Sequence, residues 1–360
     1  MLAPVTMRPC SKVILTAFLL ASGLLLPAQA SHVPATTSGA EQWPALKQDS
    51  DPVRSPDSAP AQAPSGTVHK EGSGFLLHTD VEEVVLNATV LNGSQLVQNL
   101  TKDNFQVFED GVKQTIIGFQ HTDLPVSMGL VIDNSGSMYR KRPAVNKAAL
   151  DLVLASNPQD EAFVVNFSDE AFIDCDFTSE ISKLRDGLSH IDSRGGTALY
   201  DAVAASADKL ASDAKRPKQV LVIITDGDDN ASSLGLEQTI RRVQDLSGPV
   251  IYTIGLLFGD EMDRAEVRHA RRALEMLSQE TGGLAFFPKS IDEVDQIASE
   301  VAQDIRSQYT IGYHSTKPTS IPGFRKVEVT AAAKGMGKLT VRTRTGYYPQ
   351  VKPVKQPGPK

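Results

Sequence analysis

Between Ser127 and Gln308, short apolar, β-branched runs alternate with longer stretches of helical periodicity, and this alternation constrains the fold more than any other feature. Strands are predicted at 127–133, 161–167, 170–176, 219–225, 249–256 and 284–287. Helices are predicted at 141–156, 179–189, 197–212, 236–246, 263–281 and 291–307. Val145, Ala148, Leu152 and Ala155 recur at helical spacing, and Asn157-Pro158 stops that helix. The expected class is therefore α/β, a doubly wound and mostly parallel sheet flanked by helices. A module of about 180 residues is long enough to bury its own core.

The segments on either side read as β structure. Residues 81–90 form a predicted long strand, and 105–108 with 115–119 a predicted hairpin around Glu109-Asp110-Gly111, because Asp-Gly tolerates the positive φ that tight turns require. Strand-like alternation returns at 309–313, 326–330 and 338–345. Either flank alone has few strands, and two-stranded sheets are marginal in water. The N-terminal β segment (73–124) and the C-terminal one (309–348) are thus expected to pair in one small accessory β domain around the α/β module (125–308).

The ends of the chain carry other signals. Arg8 and Lys12 precede an apolar stretch from Val13 to Leu26, and Ala28-Gln29-Ala30 is a small-residue cleavage site. Residues 1–30 read as a signal peptide, so the protein is expected to be exported, periplasmic or secreted, with no transmembrane segment in the mature chain. Residues 31–72, rich in Pro, Ala and Ser and without periodicity, are expected to be a disordered linker, and 349–360 a flexible tail.

Three places where predicted strands end or helices begin are rich in oxygen. Asp133-Asn134-Ser135-Gly136-Ser137 follows the run 127–132, Gly195-Gly196-Thr197 precedes a helix, and Asp226-Gly227 closes the run 220–225. In an open parallel sheet such loops meet in the crevice outside the carboxyl ends of the strands, however far apart they lie in sequence. Carboxylate and hydroxyl oxygens are what a hard cation such as Mg2+ takes, at about 2.0–2.1 Å and with positions left for water or an incoming carboxylate.

Asp133, Ser135, Ser137, Thr197 and Asp226 together resemble the metal-ion-dependent adhesion site of the von Willebrand factor type A domain. From about Phe75 to Tyr348 the layout also resembles secreted acidobacterial-type proteins with a related domain. That likeness rests on Leu100-Thr101-Lys102-Asp103-Asn104-Phe105, Phe108-Glu109-Asp110-Gly111 and Arg344-Thr345-Gly346-Tyr347-Tyr348. The resemblance implies that Ser135, Ser137 and Thr197 bind Mg2+ or Mn2+ directly, and that Asp133 and Asp226 bind it directly or through water. Neutral hydroxyls leave the ion electron-poor, so an Asp or Glu carboxylate of a partner protein completes the coordination. By the same analogy the last helix of the module, 291–307, is expected to shift and alter the metal's surroundings.

Other chemistries lack their parts. A net charge of −7, with no aromatics interleaved among the basic clusters 140–142 and 268–272, argues against nucleic acid and reads those clusters as solvated helix faces. Of the two cysteines, Cys10 lies in the signal, and Cys175 stands between Asp174 and Asp176, which disfavour a thiolate. Asp226, Asp228, Asn230 and Glu237 match positions 1, 3, 5 and 12 of an EF-hand loop, but Ala231 replaces the required Gly and a strand precedes it, so Asp228-Asp229-Asn230 reads as a polar rim or loop cap. Gly335-Met336-Gly337-Lys338 lacks the first glycine of a phosphate loop, and no serine sits in a G-x-S-x-G elbow. The expectation is a non-enzymatic adhesion or scaffold protein. The alternatives are a metal-assisted hydrolase and an envelope component whose metal only stabilises the fold.

Overall fold

The computed structural model describes residues 83–350, apart from 156, 191–192 and 260–262, preceded by the short strands β1 (Lys47–Gln48), β2 (Lys70–Glu71) and β3 (Gly74–Phe75). The chain runs through β4 (Glu83–Asn92), β5 (Gln95–Leu96), β6 (Phe105–Glu109), β7 (Val112–Gln114) and β8 (Ile116–Gln120). It then forms β9 (Val126–Asp133), α1 (Arg142–Leu154), β10 (Glu161–Phe167), β11 (Ala171–Thr178), α2 (Ile181–Ser189), α3 (Leu199–Asp213) and β12 (Lys218–Thr225). Next come α4 (Leu236–Asp245), β13 (Val250–Gly255), α5 (Arg264–Thr281), β14 (Ala285–Phe286) and α6 (Val294–Arg306). It leaves through β15 (Tyr309–His314), β16 (Arg325–Ala331), β17 (Thr340–Arg342) and β18 (Gly346–Tyr347). The predicted signal peptide lies outside the described residues, as do residues 351–360 of the tail. The 31–72 segment, expected to lack regular structure, contributes β1 and β2 and otherwise lies outside them.

The main sheet has the order β1-β11-β10-β9-β12-β13-β14. All its pairings are parallel except β10 with β11. Every residue of β9 is buried, which is why its stretch Met128–Ile132 is apolar rather than alternating: helices cover both faces. Leu130 and Ile132 point into one core with Val145 and Leu152 of α1, Leu184 of α2 and Val301 of α6. Val131, between them, joins the opposite core with Leu210 of α3, Val243 of α4 and Leu274 of α5. Gly129 has no room for a side chain, since a β-carbon there would stand 2.5 Å from Leu221 Cδ2 and 2.6 Å from Phe163 Cζ.

The two flanking segments hydrogen-bond to each other. β15 lies between β4 and β8 in one sheet, and β16 between β6 and β18 in another, all antiparallel. Leu86, Tyr309 and Ile311 of the first sheet share a core with Val107, Val329 and Tyr347 of the second. The predicted hairpin needs correction. Asp110 and Gly111 adopt φ of 48° and 81°, so the turn is tight and pairs Glu109 with Val112. The partner of β6 is therefore β7, and residues 116–120 cross to the other sheet, against β15. On α6, Asp304 takes Arg342 Nη2 at 2.6 Å on both oxygens and the Tyr252 hydroxyl at 2.5 Å, tying that helix to β17 and β13.

Candidate metal centre

The chain reverses its direction of travel across the sheet at β9, which has β10 on one side and β12 on the other. The loops leaving β9 and β12 therefore face one another over a crevice at the strands' carboxyl ends. Asp133 ends β9 and is wholly buried. Its Oδ1 accepts the Ser135 N–H at 2.7 Å and its Oδ2 the Thr225 hydroxyl at 2.5 Å. Burial pushes its carboxyl up to about 6; these hydrogen bonds pull it down, and repulsion from Asp226 pushes it further up.

Ser135 is extended and opens the short helical turn Gly136–Met138, which Met138 anchors in the core. That turn brings the Ser135 and Ser137 hydroxyls to 3.2 Å from each other. The Ser137 hydroxyl donates to Asp226 Oδ1 at 2.7 Å, so the two loops are joined across 89 residues of sequence. Lys141 Nζ lies 2.6 Å from Asp226 Oδ2.

Thr197 arrives from the loop before α3. Its N–H donates to Asn230 Oδ1 at 2.8 Å, and its carbonyl accepts the N–H groups of Asn230 and Ala231 at 3.1 and 3.3 Å. The Thr197 hydroxyl faces Gly227, where a β-carbon would stand 3.4 Å from Oγ1. Asp229 accepts the Tyr200 N–H at 3.0 Å. Asn230 thus caps the Thr197 loop and Asp229 the start of α3, while Asp228 Oδ2 meets His269 Nδ1 at 2.6 Å.

Residues 128–228 match the family model of the von Willebrand factor type A domain. This part of the chain is similar to that domain. Similar solved structures include an aerotolerance-related membrane protein from Bacteroides fragilis, 18% identical, covering 50% of this chain and 98% of that one at a TM-score of 0.42. The vWF domain of the type V pili tip protein Mfa5 from Porphyromonas gingivalis is 12% identical and covers 51% and 96%, at 0.41. A von Willebrand factor type A protein from Catenulispora acidiphila is 12% identical and covers 75% of each chain, at 0.43. No curated protein matches the chain.

Within the α/β module, the sequence reading missed several residues that shape the centre. Lys141 and Arg142, expected on a solvated face, turn inward because they start α1 directly above the crevice. Arg142 is wholly buried and donates to the carbonyls of Asp133 (3.5 Å) and Leu188 (3.3 Å), with burial lowering its guanidinium to about 10. The second cluster, Arg268, Arg271 and Arg272, is exposed as expected. Thr225 is the last residue of an apolar strand, and nothing in the sequence singles out its hydroxyl. Asp169, in the β10–β11 turn, accepts the Gly196 N–H at 2.7 Å and holds the loop that carries Thr197.

Beside the centre opens a cleft of about 620 Å³ whose lining includes Asn134, Phe167, Asp169, His190 and Arg194. Among the described residues no group of three or more His, Cys, Asp or Glu is placed to hold a metal, and no helix is long and apolar enough to cross a membrane. The five-residue constellation has two carboxylates and three hydroxyls. Such a set suits a hard cation and offers no soft ligand. A serine hydroxyl that donates to Asp226 keeps its lone pairs for an ion.

Proposed function

We propose that the protein is an exported, non-enzymatic binding protein in which Asp133, Ser135, Ser137, Thr197 and Asp226 hold Mg2+ or Mn2+. An Asp or Glu carboxylate of a partner protein would take the remaining coordination position, and the paired flanking β segments would serve as an accessory platform for the α/β module. One observation carries the reading. Two loops 89 residues apart are joined oxygen to oxygen, from Ser135 through Ser137 to Asp226, above a buried Asp133. Two acids converging in a crevice repel each other, and a cation between them removes that cost.

The test is calorimetric titration of the purified protein with Mg2+ and Mn2+, followed by capture of partner proteins with Mg2+ or chelator present. Saturable uptake of a single ion, lost in Asp133→Ala, and capture lost with it are the expected results. Capture that persists both in chelator and in Asp133→Ala refutes the proposal. Metal-dependent melting without metal-dependent capture would instead assign the ion a stabilising role only.

A further inference from the structure

We infer that Lys141 is a built-in counter-cation of the proposed centre, holding Asp226 in the metal-free protein and yielding that contact when a divalent ion enters, so that this lysine sets the affinity for metal. The inference rests on the metal reading above and deepens it.

The Asp226 side chain is wholly buried and both its oxygens are taken, Oδ1 by the Ser137 hydroxyl at 2.7 Å and Oδ2 by the Lys141 ammonium at 2.6 Å. Ser137 can donate to Asp226 and still offer lone pairs to an ion. An ammonium has no lone pair to offer. It occupies the carboxylate oxygen as a single positive charge, and a divalent ion approaching the same group meets its repulsion. Only 17% of the Lys141 side chain is exposed, and Nζ lies 5.5 Å from the centre of the Phe258 ring, so water and salt screen this repulsion weakly.

The position of the lysine supports a role toward the acids rather than toward the helix. Lys141 is the N-cap residue of α1 and Arg142 its first residue, and the first turn holds no acidic side chain. A helix N-terminus carries partial positive charge and favours acids, so two consecutive basic residues there work against the helix. Both are used on the crevice side: Arg142 on the carbonyl of Asp133, Lys141 on the carboxylate of Asp226. A long, flexible lysine stem can swing its ammonium aside without moving α1. Arg142, packed at 0% exposure, has no such freedom.

The experiment compares Mn2+ affinity and thermal melting in the wild type, Lys141→Met, Lys141→Gln and Lys141→Arg. Methionine keeps the stem over Phe258 without the charge, glutamine keeps a hydrogen-bond donor without the charge, and arginine keeps the charge. Lys141→Met and Lys141→Gln should bind Mn2+ about tenfold tighter or more, and Lys141→Arg should stay within about threefold of the wild type. Metal-free Lys141→Met should melt below the metal-free wild type, with saturating Mn2+ closing the gap. Equal or weaker Mn2+ binding by the folded neutral variants overturns the inference and leaves the metal reading standing. If neither the wild type nor any variant takes up Mn2+, both fall. Should Lys141→Met fail to fold, the glutamine variant decides alone.

Discussion

Replacing Thr225 with valine isolates the hydroxyl that orients Asp133. Thr225 is wholly buried at the end of β12, so no water can stand in for what is removed, and valine preserves its shape. The hydroxyl donates to Asp133 Oδ2 at 2.5 Å and accepts the Gly227 N–H at 3.2 Å. A hydrogen bond to a charged group contributes about 1.5–3 kcal/mol, so the metal-free variant should lose about 2–3 kcal/mol of stability, including the weaker amide contact. Groups that orient a metal ligand usually account for about tenfold to a hundredfold in affinity, so Mn2+ binding should weaken by about 1.4–2.7 kcal/mol. Urea unfolding in chelator gives the first quantity, and calorimetric Mn2+ titration of the folded variant the second. Affinity within about twofold of the wild type, with stability reduced as stated, would show that Asp133 is positioned by the backbone of its own loop and not by Thr225.

Two further predictions concern charges buried away from the centre. Lys218 opens β12, donates to the Ile305 carbonyl at 2.7 Å, and is lowered by burial to about 8. The unfolded chain therefore binds its proton below the ordinary value of 10.5 while the folded chain does so only below about 8. Stability from this group thus rises with pH between about 8 and 10.5 and sits at its low plateau below that window. In Lys218→Met that part of the slope should vanish, and denaturant unfolding at pH 7.5, 9 and 10 compares the two; parallel curves would refute the assignment. In the β segments, Arg325 is wholly buried 3.6 Å from the equally buried Glu109, which also receives the Tyr313 and Tyr347 hydroxyls at 2.7 and 2.9 Å. Arg325→Met should cost about 3–5 kcal/mol in urea unfolding by stranding Glu109. A loss below about 1 kcal/mol would mean that the hydroxyls of Tyr313, Tyr347 and Ser315, the last at 2.6 Å, satisfy Glu109 without the arginine.

Much of the architecture was legible because the α/β region obeys local rules. The predicted strand 161–167 coincides with β10, and the predicted helix 236–246 ends one residue from α4. All of β10 is buried, whereas α4 buries one face that includes Thr239, Ile240 and Val243 at helical spacing. The hairpin failed where periodicity stops informing. Residues 105–120 carry β-type residues on both sides of the turn, and only the positive φ at both Asp110 and Gly111 decides that the chain turns within two residues and then changes sheets at Thr115. In the crevice, the acids and hydroxyls carried their own signal, whereas Lys141 and Arg142 looked like any basic run at the start of a helix. Their environment depends on which strand ends lie beneath α1, and sequence spacing holds no trace of that.

By itself, then, the amino-acid order determined the elements, the alternation that makes a parallel sheet buried on both faces, and the oxygen-bearing residues at strand ends. Those properties follow from side-chain period, β-branching and turn chemistry, all of which act between near neighbours. Only the tertiary structure decided the pairing of β4 with β15 and of β6 with β16, the meeting of Ser137 with Asp226, and the inward turn of Lys141. Each is a contact between groups distant along the chain, and its existence depends on how the whole sheet twists and how the helices pack against it.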